Sequence, residues 1–169
     1  MKLETRQNSI TPKPKNDRLG GLAIVFNEVA RLSERVLEKI EPGAFRKALL
    51  SNDILCLVDH DETKLLGRTK SKTLALREDT EGLHYDVLLP ETGLGRDTLE
   101  LANRGDIGGV SVGFFIVREV WQGNTRRVLE ADLREISIIS AFPAYTQTTV
   151  ELRSARRELT NYLRWAVHV

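Results

Sequence analysis

Between Gly108 and Ala141 the chain carries the runs VSVGFFIVREV, RRVLEA and LREISIISA in close succession, separated only by short polar breaks at residues 122–124 and near Asp132. No other feature constrains the fold as much. Runs rich in β-branched and aromatic residues form strands rather than helices, and three of them so closely joined predict an antiparallel β domain. The first run contains Gly109-Val110-Ser111-Val112-Gly113, which has the G-x-S-x-G spacing of the nucleophile elbow. An elbow needs a helix after its serine and the order Ser, acid, His. Here a strand follows Ser111, and the only later histidine is His168, the penultimate residue, where chain ends are commonly loose. The α/β-hydrolase reading is excluded. In a strand, Val110, Val112, Phe114 and Ile116 take one face while Ser111 and Gly113 take the other, and the glycine leaves room for close approach.

The rest of the chain agrees with this class. GLAIVF, RVLEKI and DILCLV read as strands. KTLALRED and GLHYDVLLP read as a hairpin around the acidic turn Glu78 to Gly82. EPGAFRKALL predicts a short helix with Phe45, Ala48 and Leu49 inward. RDTLELANRG predicts a helix with Asp97 as N-cap and Gly105 near its C-terminus. ELRSARRELTNYLRW has helical spacing in Leu152, Ala155, Leu159 and Leu163. Residues 1–18 are polar, carry Pro12 and Pro14, and predict a tail or edge segment before a single domain over residues 19–169. The expected architecture is mainly β, an α+β closed antiparallel barrel with two or three helices packed outside.

Charge excludes some partners. With 25 basic against 24 acidic residues, nothing draws the chain generally to nucleic acid or to an anionic membrane. No run reaches the length of a membrane span and the N-terminus carries no apolar signal segment, so the protein is expected to stay in the cytoplasm where it is made. The lone Cys56, within the apolar run ILCLV, is expected as a buried thiol in a reducing compartment.

Few residues carry chemistry. His60 ends a buried strand between Asp59 and Asp61, where active groups commonly stand, and the carboxylates favour its imidazolium. Taken alone it reads more readily as a surface histidine solvated beside two aspartates. No second histidine or cysteine lies nearby at ligand spacing, which argues against a metal. Ser111 taken alone is a small polar strand residue. In LREISIIS, Glu135 shares a face with Ser137 and Ile139, and a carboxylate on such a face wants a partner that Arg134, on the other face, does not supply. His84 reads as a face residue of its strand, and Glu78, Asp79 and Glu81 as a solvated turn cluster.

Taken together and in order, GLAIVFN, RVLEKIEPGAF, LVDHD with LLGR, EDTEGLHYDVLLPET, GDIGGVSVGF and LREISIISAFPAYTQT resemble the prohead protease family of tailed phages and related prophages. The match runs from about Gly20 to Arg153. That family is similar in fold and mechanism to the herpesvirus assembly protease, a closed β-barrel ringed by helices. The resemblance implies a serine endopeptidase with His60 as base and Ser111 as nucleophile. The herpesvirus third member is a histidine after the serine; its place falls in LREISIIS, which has none, and Glu135 is the residue left there. Asp61, the carboxylates Glu78, Asp79 and Glu81, or a dyad without a third member stay open. Oxyanion donors are expected, by analogy, in the loop AFPAYT, residues 141–146.

The resemblance further implies no metal and no cofactor. Substrates would be scaffold and the scaffold-like N-terminal part of the major capsid protein, cut in the host cytoplasm inside the assembling prohead. A homodimer or higher homo-oligomer is allowed by the herpesvirus relatives. The alternatives are a catalytically inactive capsid-assembly or scaffold-binding module of the same fold, and a general hydrolase of small esters or amides.

Overall fold

The computed structural model describes residues 2–8, 13–15 and 17–140. The chain runs β1 (Glu4–Asn8), β2 (Lys13–Lys15), β3 (Arg18–Val25), β4 (Val29–Arg31), β5 (Leu37–Ile40), α1 (Arg46–Ser51), β6 (Leu55–Val58) and β7 (Asp61–Arg68). It continues through β8 (Leu74–Glu78), β9 (Gly82–Leu88), α2 (Gly93–Arg104), β10 (Gly109–Gln122) and β11 (Thr125–Ile139). The expected C-terminal helix and the loop at 141–146 lie outside the described residues.

Strands β10 and β11 form one long hairpin, turned at Gly123, whose φ of 59° suits a residue without a side chain. The break expected near Asp132 does not interrupt β11. It is a bulge, because Gly113 pairs with Glu135 while Phe114 pairs with Leu133, leaving Arg134 extra. Strict alternation would place Arg134 on the face opposite Glu135, against the core. The bulge instead leaves it in solvent, 3.6 Å from Asp132, and keeps both Leu133 and Ile136 in the core.

This hairpin organises a seven-stranded sheet in the order β1-β10-β11-β5-β4, with β6 and β7 joined through β11. The sheet is mixed rather than antiparallel throughout, since β5 and β6 both run parallel to β11. A fifteen-residue strand offers its edge to two short strands end to end, β5 beside 125–128 and β6 beside 135–138. Between them the chain through α1 completes the edge: Ala131 N–H donates to the Ala44 carbonyl at 2.8 Å, and the Asn52 amide donates to the Leu133 carbonyl at 2.9 Å.

A four-stranded sheet, β2-β3-β9-β8, covers one face of the first, and neither sheet closes on itself among the described residues. One apolar cluster joins them, with Leu19, Leu83 and Val87 from the small sheet and Val110, Val112, Phe114, Ile136 and Ile138 from the large one. Phe45, just before α1, stacks on Phe26 and meets Phe114 edge-on at 5.6 Å. Helix α2 starts earlier than its periodicity suggests. Thr92, not Asp97, is the N-cap, with its hydroxyl accepting from Gly95 N–H, and Gly105 ends the helix in the left-handed conformation. No described helix is long and apolar enough to cross a membrane.

Candidate active site

His60 sits in a two-residue turn joining β6 to β7, with Val58 paired to Asp61 across it. Asp59 and His60 have φ of 52° and 59°, the left-handed region that the tightest hairpins require and that Asp and His tolerate better than most residues. Four hydrogen bonds tie this turn to the end of β11. Asp59 N–H donates to the Ile138 carbonyl at 3.0 Å, and the Asp59 carboxylate accepts from the Ser140 N–H and hydroxyl, each at 2.8 Å. His60 N–H donates to Ser137 Oγ at 3.2 Å.

The same end of β11 supplies the carboxylate. Glu135 is 7% exposed, and its Oε1 is hydrogen-bonded to His60 Nδ1. Its Oε2 accepts from the wholly buried Ser137 hydroxyl at 3.0 Å. The two partners of the carboxylate therefore come from LREISIIS itself and from the turn of LVDHD, which follows a strand lying parallel beside it. Gly113, paired with Glu135 across β10 and β11, makes this fit. A Cβ there would lie 2.6 Å from Glu135 Oε1 and 2.7 Å from its Cγ. The hydrogen bond His60 makes to Glu135 raises the His60 pKa above 6.5, partial burial opposes it, and the charges of Glu135 and Asp59 add to the rise.

Ser111 lies one pair along the same face of β10, directly opposite Ser137, and is 1% exposed. This face is not the core face: Val110 and Val112, its neighbours in the strand, point into the core cluster. The structure thus joins His60, Glu135 and Ser137 in one hydrogen-bonded chain and sets Ser111 beside it. Among the described residues no hydrogen bond runs between His60 and Ser111, and such contacts are often long before substrate binds.

A family model described as caudovirus prohead serine protease matches residues 1–164. The chain belongs to that family. It is a serine protease of the phage capsid-maturation class. A solved structure of the bacteriophage T4 capsid assembly protease, gp21, shares its fold with a TM-score of 0.52 and 12% identity, covering 82% of this chain and 96% of that one. No curated protein matches.

Of the other carboxylates considered for this prohead protease's histidine, Asp61, Glu78 and Asp79 have hydrogen-bond partners elsewhere. Asp61 accepts from Thr63 N–H at 2.9 Å and from the Thr63 hydroxyl at 2.6 Å, and those bonds, with Lys64, hold its pKa down. Glu78 accepts from Phe45 N–H at 2.9 Å, and burial raises its pKa. Asp79, Glu81 and His84 meet at the β8–β9 turn of the other sheet with ligating atoms within 4.8 Å of one another, the one group of metal-binding type among the described residues. Arg77 and the backbone N–H groups of Glu81 and Gly82 bind Asp79, and Arg77 first among them lowers its pKa. Cys56 is free and fully buried, and burial pushes its thiol pKa up. Ser137 is the residue whose part sequence reasoning missed. Its signal was present, since alternation puts it on the face of Glu135, but serines in strands are commonly structural.

Proposed function

We propose that His60, Ser111 and Glu135 are the catalytic triad of an endopeptidase that cuts scaffold and the scaffold-like part of the major capsid protein precursor inside the assembling prohead. The observation that carries this reading is the Glu135 carboxylate seated over Gly113 against His60 Nδ1, one pair along β10 from Ser111. With Nδ1–H held by Glu135, the lone pair lies on Nε2, where it takes the Ser111 proton as Oγ attacks the peptide carbonyl. The imidazolium, stabilised by Glu135, then returns the proton to the leaving amine. Water repeats the sequence on the acyl-enzyme. The order His, Ser, acid in the chain is immaterial, since geometry defines a triad.

We also read the two sheets as parts of one barrel wall, which is supported by β1 packing beside β3 and β7 beside β9 at the two seams. Confinement with substrate at high local concentration would restrain such an enzyme until shells assemble. A homodimer or higher homo-oligomer remains compatible with this reading.

The test is co-expression with the capsid precursor and scaffold, followed by mass spectrometry of the capsid protein N-terminus. Wild type should give the trimmed N-terminus and label with a serine-directed phosphonate at Ser111, while Ser111→Ala and His60→Ala should fold and leave the precursor intact. Trimming at the wild-type rate by Ser111→Ala would overturn the assignment.

A further inference from the structure

Strand β1 pairs antiparallel with β10 on the side away from β11, and its register sets Gln7 directly opposite Ser111. Residues so paired project from the same face with Cβ atoms about 4.5–5.5 Å apart. Gln7, Ser111 and Ser137 therefore form one row across three strands. In that row Gln7 flanks the serine on one side, while Ser137 with Glu135 and His60 flanks it on the other. The Gln7 amide nitrogen, Nε2, is buried and donates to no acceptor among the described residues. A buried donor left unpaired costs roughly 1–3 kcal/mol, so its retention beside a nucleophile asks for an acceptor that arrives during the reaction.

We propose that Gln7 is a further catalytic residue, whose side-chain amide donates a hydrogen bond to the oxyanion formed at Ser111. The inference rests on the triad assigned above. When Ser111 Oγ bonds to the carbonyl carbon, the carbonyl π pair moves onto oxygen and the hydroxyl proton passes to His60. The scissile nitrogen must face His60 to receive that proton on leaving. The oxygen accordingly turns toward the opposite flank, where Gln7 stands. Ser111 is 1% exposed, so the donor acts where little water competes, and there one hydrogen bond to developing charge is worth most.

The test compares wild type, Gln7→Ala and Gln7→Leu, the latter keeping bulk without a donor, on a peptide spanning the scaffold cleavage site. Expected is a fall in kcat of about 10²–10³-fold with KM within about threefold and Tm no lower than wild type, and a parallel loss of affinity for a peptidyl trifluoromethyl ketone, which forms a tetrahedral adduct with the serine. A kcat within about threefold of wild type in both variants overturns the proposal. So does a loss confined to KM, or a fall of kcat together with Tm in both variants, which would make Gln7 structural. Ser111→Ala in the same assay separates the two readings: if it keeps activity, the triad assignment falls, and if it is inactive while the Gln7 variants match wild type, only the role of Gln7 falls.

Discussion

Gly113→Ala tests the seat of Glu135, the carboxylate of the proposed triad. Gly113 lies in an extended strand, so backbone effects alone favour alanine by about 0.4–1 kcal/mol, through reduced freedom of the unfolded chain. Sterics oppose this. The new methyl would lie 2.6 Å from Glu135 Oε1, 2.7 Å from Cγ and 3.1 Å from Cδ, where unstrained carbon contacts need about 3.5–4.0 Å. The carboxylate must therefore move by roughly 1 Å, and it is not a free end to be turned aside, because His60 holds one oxygen and Ser137 the other. Overpacking of this kind costs about 1–3 kcal/mol, which for a domain of this size lowers Tm by roughly 2–12 °C. Displacement of a positioning group by 1 Å costs about 10²-fold in rate. The assay is cleavage of a scaffold peptide alongside thermal unfolding. Wild-type kcat with an unchanged or raised Tm would show that the backbone effect wins and that Gly113 does not seat Glu135.

Glu135→Gln should lower kcat by up to roughly 10⁴-fold with little change in fold. It should also move the acid limb of kcat/KM. In the proposed triad neutral His60 is the base, and its pKa is raised above 6.5 chiefly by its hydrogen bond to Glu135, so wild-type activity should rise through that raised pKa and the limb should fall to lower pH in the variant. By the same linkage the pair stabilises the fold fully below pH 6.5 and is lost as pH rises through the raised pKa, so the Tm gap between wild type and variant should narrow toward alkaline pH. An unmoved limb between pH 5 and 9 would remove Glu135 from the site. Ser137→Ala deletes the donor to Glu135 Oε2 and the acceptor of His60 N–H, and should cost about 1–3 kcal/mol in denaturant titration together with a loss of kcat. Unchanged values for both would make Ser137 a bystander. Away from the site, Glu38 is 1% exposed and bound by Arg6 at 2.8 Å and Arg126 at 2.7 Å, so Glu38→Gln should destabilise by about 3–5 kcal/mol in the same titration. A loss below about 1 kcal/mol would mean that solvent already compensates these charges.

Much of the fold was legible because its strands announce themselves by composition. The β8–β9 hairpin, α1 with Phe45 and Ala48 inward, and the cores of β3, β5, β6 and β10 all follow from apolar runs of the right period. Strands β1, β4 and β7 were not legible. Glu4–Asn8 and Asp61–Arg68 are polar, and they become strands because a neighbour offers unpaired backbone groups, not because their side chains demand burial. The N-cap of α2 was misplaced for a related reason: Gly93 and Gly95 look like loop residues, yet Gly95 packs where a Cβ would meet the Pro90 carbonyl at 1.9 Å.

What the sequence determined by itself is the set of groups available for chemistry and the face each takes within its own strand. Period-two alternation put Ser111 with Gly113 and Glu135 with Ser137, since that rule is local to one strand. Only tertiary structure decided that these faces meet. The bulge at Arg134 sets the phase of β11, parallel pairing brings β6 and its turn beside residues 135–138, and antiparallel pairing lays Gln7 beside Ser111. Register between strands far apart in the chain is a property of backbone hydrogen bonds and shared core packing, and neither is written in any single segment.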